Sequence, residues 1–201
     1  MYPPSRKNIP VAADLAKPIG PFYSPSTARD VPFQTKQVRR ADGTTKYRRV
    51  VPSPRPTEIV ESREIEALLE DGSLVITVGG GGIPVVSENG DLRGVEAVID
   101  KDRASSVLAS EIGADVLLVL TDVECAYLGF GGPDPEPLGR VSTDEMREYL
   151  EDDQFAEGSM GPKVEASIEF VESDGTRAII TTVDNVEAAL AGETGTQMYQ
   201  A

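Results

Sequence analysis

The run Asp115-Val116-Leu117-Leu118-Val119-Leu120 constrains the fold of this chain more than any other stretch. Its apolar residues follow one another without polar alternation. That describes a strand buried on both faces, the mark of a parallel sheet covered by helices. Its surroundings fit. Before it, Gly94 to Lys101 leads into a helix that Asp102 is expected to cap, running through Ala104, Val107, Leu108 and Ile112 to a stop at Gly113. After it come a short helix over Asp144 to Leu150, another over Pro162 to Ser173, a strand over Arg177 to Thr181, a helix over Asp184 to Ala191 and a final edge strand over Thr196 to Tyr199. Upstream, Thr57 or Ser62 is the candidate cap of a helix to Leu69, with Ile59, Ile65, Leu68 and Leu69 on one face. Leu74 to Val78 reads as a short strand, Ile83 to Val86 as a second, and Asn89-Gly90 as a turn. Strands alternating with helices predict an α/β fold, a three-layer α/β/α sandwich with a mainly parallel sheet.

Residues 1 to about 48 read differently. Pro3, Pro4, Pro10, Pro18, Pro21, Pro25 and Pro32 fall there, and Lys36, Arg39, Arg40, Lys46, Arg48 and Arg49 form a local basic cluster. The expectation is an irregular arm with at most one hairpin, Phe33 to Arg40 and Thr44 to Val51 around a turn at Ala41-Asp42-Gly43.

The residue inventory limits the chemistry. Histidine is absent, which excludes Ser-His-Asp and Cys-His catalysis, a phosphohistidine and His-ligated zinc. The single cysteine, Cys125, allows no intrachain disulfide and reads as a buried small hydrophobe. With 34 acidic against 19 basic side chains the net charge is −15, which disfavours nucleic acid and anionic membrane as partners. An acidic excess of this size suits a protein of concentrated salt, where charge repulsion is screened within about 3 Å at 1 M. No apolar run approaches the roughly 20 residues of a membrane span, and no signal core follows the N-terminus, so a cytoplasmic location is expected.

Catalysis then has to rest on lysine, arginine, carboxylates, hydroxyls and backbone amides. Four places carry such groups. The turn Gly79-Gly80-Gly81-Gly82 ahead of Ile83-Pro84 lets amides approach a phosphate or carboxylate, although it is neither a Walker A loop nor a dinucleotide fingerprint. Asp100-Lys101-Asp102 reads equally as a helix cap with solvated neighbours or as Lys101 neutralising a phosphoryl group while Asp102 orients it. In Gly158-Ser159-Met160-Gly161-Pro162-Lys163, small residues precede a helix expected to start at Pro162. This is an anion site or simply a helix start beside an exposed lysine. Thr121 and Asp122, beyond the carboxyl end of the buried strand, are nucleotide contacts or the start of a turn.

Together these stretches resemble the carbamate kinases. The matching words are Lys17-Pro18-Ile19-Gly20-Pro21-Phe22-Tyr23, Arg48-Arg49-Val50-Val51-Pro52-Ser53-Pro54, the tetraglycine loop with Ile83-Pro84-Val85, and Gly94-Val95-Glu96-Ala97-Val98-Ile99-Asp100-Lys101-Asp102. Leu120-Thr121-Asp122-Val123 and the run from Gln154-Phe155-Ala156 through Lys163-Val164-Glu165-Ala166 complete them in the family's order. The resemblance implies the amino-acid-kinase sandwich, a homodimer, and reversible phosphoryl transfer between ATP and carbamate. That reaction closes arginine fermentation by the deiminase route. It implies ATP or ADP with Mg²⁺, and no metal held by the protein alone. Lys101 and Lys163 correspond to the lysines that stabilise the phosphoryl group, with Asp102 holding them. Gly79, Gly80, Gly81, Gly82 and Lys17 fall on the substrate side. Thr121, Asp122, Tyr127, Ser159, Met160 and Lys163 fall on the nucleotide side. Residues 1–49 then correspond to a remnant of the substrate side with a protruding lid, and residues 50–201 to the nucleotide-binding part.

Two departures stand out. Tyr47 occupies a place where a tryptophan is expected, and the family's opening strand with its Gly-Gly-Asn-Ala loop is not found. The resemblance therefore implies an N-terminally shortened chain that works alone or with a separate N-terminal piece, or a non-catalytic remnant that still binds nucleotide. Losing that loop removes a phosphate cradle, and a single such donor is commonly worth about 10²–10³ in rate. It would also leave an unpaired sheet edge and exposed apolar surface. An acetylglutamate or aspartate kinase is the remaining alternative, against which the runs at 50–54 and 94–102 weigh.

Overall fold

The computed structural model describes residues 17–40, 43–156 and 159–201. Pro3, Pro4 and Pro10, the turn residues Ala41 and Asp42, and Glu157 and Gly158 lie outside the described residues. The chain forms two compact units, residues 1–55 with 83–99, and residues 56–82 with 100–201.

The first unit is more regular than its prolines suggest. Strands β1 (Lys17–Tyr23), β2 (Thr35–Arg39) and β3 (Thr45–Val51) form an antiparallel sheet in the order β1-β3-β2, with a single helical turn, α1 (Thr27–Asp30), between β1 and β2. The expected irregular arm is thus corrected from Lys17 onward, while the β2–β3 hairpin is as read. Pro18 and Pro21 are tolerated because β1 is an edge strand, where a missing N–H need not break the ladder. The β1–β3 register also slips between Ile19 and Tyr23, beside Gly20 at φ 69°. The basic cluster is laid on aromatic faces. The guanidinium carbons of Arg40 and Arg48 sit 5.2 and 5.1 Å from the Phe22 ring, and that of Arg49 sits 5.2 Å from Phe33. A second hairpin, β4 (Val85–Glu88) with β5 (Asp91–Gly94), turns at Asn89 and Gly90, both at positive φ.

The second unit holds the main core. Its elements are α2 (Ser62–Glu70), α3 (Lys101–Glu111), β6 (Val116–Leu120), β7 (Tyr127–Leu128), β8 (Glu136–Pro137), β9 (Arg140–Ser142), α4 (Thr143–Glu151), α5 (Met160–Glu172), β10 (Arg177–Thr181), a 3₁₀ turn at Val183–Asn185, α6 (Val186–Leu190) and β11 (Thr196–Tyr199). The sheet order is β6-β10-β11-β9. β6 and β10 are parallel, β10 and β11 antiparallel, and β11 and β9 parallel. The fold is mixed α/β. β11 is an interior strand rather than the expected edge, because β9, too short to stand out in the sequence, pairs along its far side.

Helix α5 is the centre of this unit. Val164, Ile168, Phe170 and Val171 are buried against Leu117, Val119, Ala178 and Ile180 of β6 and β10. Helix α4 begins with a capping box: Ser142 Oγ accepts from Glu145 N, and the Glu145 carboxylate accepts from Ser142 N. Those hydrogen bonds hold the Glu145 carboxyl below its ordinary pKa, the backbone bond contributing most. Ser142→Ala is expected to cost about 1 kcal/mol of unfolding free energy, read as a lower urea midpoint at unchanged slope.

Several sequence expectations change. Neither Thr57 nor Ser62 caps α2, whose N-cap is Glu61 without a side-chain bond, and of its expected apolar face only Ile65 is buried. β6 is buried on one face alone, through Leu117 and Val119, while Leu120 is exposed. Its outer edge has no strand beside it among the described residues. Leu74 to Val78 forms no strand, and Leu74 and Ile76 are 93% and 95% exposed. A short apolar run becomes a strand only when a neighbouring strand supplies its ladder bonds, and none does so within the described residues.

Candidate active site

The first turn of α3 and the first turns of α5 build one charged cluster. Asp100, not Asp102, is the N-cap of α3: its Oδ1 accepts from Asp102 N at 2.9 Å. This corrects the sequence expectation and has a chemical consequence. With the cap supplied two residues earlier, the Asp102 side chain is free to project from the first helical turn. Its Oδ1 accepts from Lys101 Nζ at 2.7 Å and its Oδ2 from Lys163 Nζ at 2.8 Å. One carboxylate therefore holds two ammonium groups, each on its own oxygen.

Burial makes the arrangement stiff. The side chains of Asp102 and Lys163 are 13% and 11% exposed, whereas that of Lys101 is 51% exposed. Two cations share the Asp102 carboxylate, partly screened from water, and their ammonium groups can draw an anion. Lys101 illustrates the balance. Partial desolvation opposes its charge most strongly, but the hydrogen bond and charge of Asp102, helped by Asp100, outweigh it and raise its pKa above the ordinary 10.5. A raised lysine pKa contributes stability that is complete below the unfolded value and lost as pH climbs through the folded one. The Tm difference between the parent and a Lys101→Met variant is therefore expected to hold steady near neutrality and to shrink above pH about 10.5.

Lys163 arrives through an unusual helix start. Helix α5 begins at Met160, two residues before the expected Pro162, which becomes its third residue. No intrahelical bond is lost, since the N–H of that position has no partner in the helix anyway. Ser159 makes no side-chain cap. Gly161 packs so closely that a Cβ there would lie 3.2 Å from the Ala156 carbonyl oxygen, which accepts from both Ser159 N and Gly161 N.

The other predicted site residues are distributed as follows. Thr121 and Asp122 follow β6; Thr121 N donates to Thr181 O at 2.9 Å, and Thr121 Oγ1 donates to Asp122 Oδ1 at 3.2 Å. Tyr127 opens β7 and lines an open groove of about 690 Å³ with Cys125, Gly139, Arg140, Gly195 and Tyr199. A hydrogen bond with Cys125 is the main cause that raises its phenol pKa. Cys125 is buried, as read. The glycines at 79–82 belong to the second unit, with Gly81 and Gly82 at φ 89° and 81°, values open to glycine but strained for other residues. No heavy atom would meet a Cβ within 4 Å at Gly79, Gly80 or Gly82. The loop thus has open space where side chains would stand. Lys17 lies on β1 in the first unit, paired with Val51. Among the described residues no cluster of three or more acidic, cysteine or histidine side chains is placed to hold a metal ion.

The chain belongs to the amino acid kinase family, whose profile matches residues 18–182. Within that family its similarity is to carbamate kinases. The carbamate kinase of Halobacterium salinarum is 51% identical over 192 residues, 96% of this chain and 62% of that protein. That of Thermococcus kodakarensis is 48% identical over 194 residues, again 96% and 62%. The carbamate kinase from Giardia lamblia bound to AMP-PNP superposes with a TM-score of 0.79 at 42% identity, covering 92% of this chain and 59% of that one. The chain thus spans about three fifths of the length of these relatives.

Proposed function

We propose that this chain carries the phosphoryl-transfer chemistry of a carbamate kinase, carbamoyl phosphate and MgADP giving carbamate and MgATP, and the reverse. The observation that carries the proposal is the double hold of Asp102 on Lys101 and Lys163 at 2.7 and 2.8 Å. A phosphoryl group in flight needs little covalent help; it needs in-line positioning and cations on its oxygens. An attacking β-phosphate oxygen of ADP forms the new bond to phosphorus as the bond to the carbamate oxygen breaks. Lys101 and Lys163 neutralise the charge spread over the transferring group, and Asp102 fixes both against recoil. Mg²⁺ enters as part of the nucleotide substrate.

In this reading Thr121, Asp122, Tyr127, Ser159 and Met160 form the nucleotide side, with Lys163 shared. Gly79, Gly80, Gly81 and Gly82 present amides on the substrate side. Lys17 belongs to the substrate side, with residues 1–49 as the lid segment and residues 50–201 as the nucleotide-binding part. The basic residues of that segment support an attraction for a multiply charged anion. A cytoplasmic place in arginine fermentation, a salt-rich setting suited to the net charge of −15, and homodimerisation complete the proposal.

The test is ATP formation from carbamoyl phosphate and MgADP in molar KCl by soluble, folded protein. A second reading rests on the exposure of Leu74 and Ile76 and on the outer edge of β6, unpaired among the described residues: a nucleotide-binding subunit that needs a separate N-terminal piece. It predicts MgADP binding by calorimetry without ATP formation. No binding and no turnover would sink both.

A further inference from the structure

We infer that Arg103 and Glu165 are positioning residues for Lys163: their ion pair fixes the seating of α5 on α3 and thereby keeps the Lys163 ammonium on Asp102. Arg103 Nη2 donates to Glu165 Oε2 at 2.5 Å, with both side chains partly buried. Arg103 follows Asp102 in the first turn of α3, and Glu165 lies two residues beyond Lys163 in α5. The same two helices are therefore tied twice near the same ends, with the charges in opposite order. Acid on α3 meets base on α5 at Asp102–Lys163, and base meets acid at Arg103–Glu165.

One tie between two helices leaves a pivot; two separated ties stop rotation as well as sliding. The need is local, because α5 starts without a side-chain cap and its first turns carry the lysine. Swapped charge order also discourages the wrong register, since a shifted α5 would bring Glu165 toward Asp102 or Lys163 toward Arg103. The pair is not arranged for stability alone. Arg103 Nε is buried without a hydrogen-bond partner among the described residues, a cost that a purely stabilising contact would be expected to avoid. The inference deepens the proposed chemistry, but its structural core, the hold on Lys163, can be read without turnover.

The experiment is amine acylation followed by mass spectrometry, measuring the modification rate of Lys163 in the parent, Arg103→Gln, Glu165→Gln and the swapped double variant Arg103→Glu/Glu165→Arg. Lys163 is expected to react at least about fivefold faster in each single variant, the size of a modest coupling between neighbouring charged pairs. The swap is expected to return it toward the parent rate, while Lys36 and Lys46 stay unchanged throughout. A merely structural pair would lower Tm without singling out Lys163. Unchanged Lys163 reactivity in both folded single variants overturns the inference, as does a swap that fails to fold or stays as reactive as the single variants. If the single variants unfold, parent-like protection in the folded swap supports it. ATP formation by the parent is scored separately: a protected Lys163 in a protein without turnover removes the kinase reading and leaves this one standing. In an active parent the single variants are expected to lower kcat at little-changed KM for MgADP.

Discussion

Lys163→Ala is expected to lower ATP formation from carbamoyl phosphate and MgADP by about 10²–10³-fold, the usual size of losing one preorganised donor to a developing charge. The loss should fall on kcat, because the ammonium serves a charge spread over the phosphoryl group in the transition state more than the ground-state substrate. The fold should survive. Asp102 keeps its bond to Lys101, so the substitution does not strand a carboxylate among apolar groups. The shortened side chain leaves space near the start of α5 rather than at its core end. Circular dichroism and Tm on the same preparation check that separation. A variant within about threefold of a turning-over parent would remove Lys163 from the reaction. Equal loss from Lys163→Ala and Lys163→Arg would point to shape, whereas partial retention by arginine would point to charge, given the different geometry of the two cations.

Phe170→Ala is expected to lower the unfolding free energy by about 3–5 kcal/mol, the range for deleting a buried aromatic ring. Phe170 is fully buried in the last turn of α5, in one cluster with Leu117, Val119, Val164, Ile180 and Met198. The site around the ring is closed: a Cβ on Gly175 would lie 2.5 Å from it, so the loop after α5 is already pressed against the aromatic edge. Collapse into the cavity is limited where backbone lines it, which places the expectation toward the upper part of the range. Urea or thermal unfolding measures it. A destabilisation below about 1 kcal/mol would mean that the ring is not held as the structure has it. Because Phe170 and Lys163 share one helix, the variant is also expected to blunt turnover at temperatures where it remains folded.

The elements legible in the sequence are those whose own residues supply the reason for the element. β10 at Arg177–Thr181 and β11 at Thr196–Tyr199 match their expected bounds, since short runs with β-branched or aromatic residues beside turn residues need little context to be recognised. Helix α3 ends where Ile112 and Gly113 said it should, Gly113 taking φ 62°. Elements that depend on a partner were not legible. β1 carries two prolines and becomes a strand because β3 runs beside it. β9 has three residues and exists only through β11. Leu74 to Val78 has the composition of a strand and lacks a neighbour among the described residues, so it forms no strand and leaves Leu74 and Ile76 exposed.

The candidate site divides along the same line. The sequence alone established which chemistry was open to this protein: without histidine and with one cysteine, the charged groups available were lysines, arginines and carboxylates, and two motifs placed Lys101, Asp102 and Lys163 at helix starts. Residue types are local facts and can be read locally. Which carboxylate would cap and which would hold the lysines was decided only in three dimensions. Asp100 and Asp102 are chemically identical and two residues apart, and nothing in their order says that the second must face α5. The packing of α3 on α5 settles it, because Asp102 then meets a lysine 61 residues away at 2.8 Å while Asp100 turns back to the helix end. The same packing paired Arg103 with Glu165, which no local rule foretold. Charges that are distant in sequence acquire partners only when burial of the apolar faces brings their helices together.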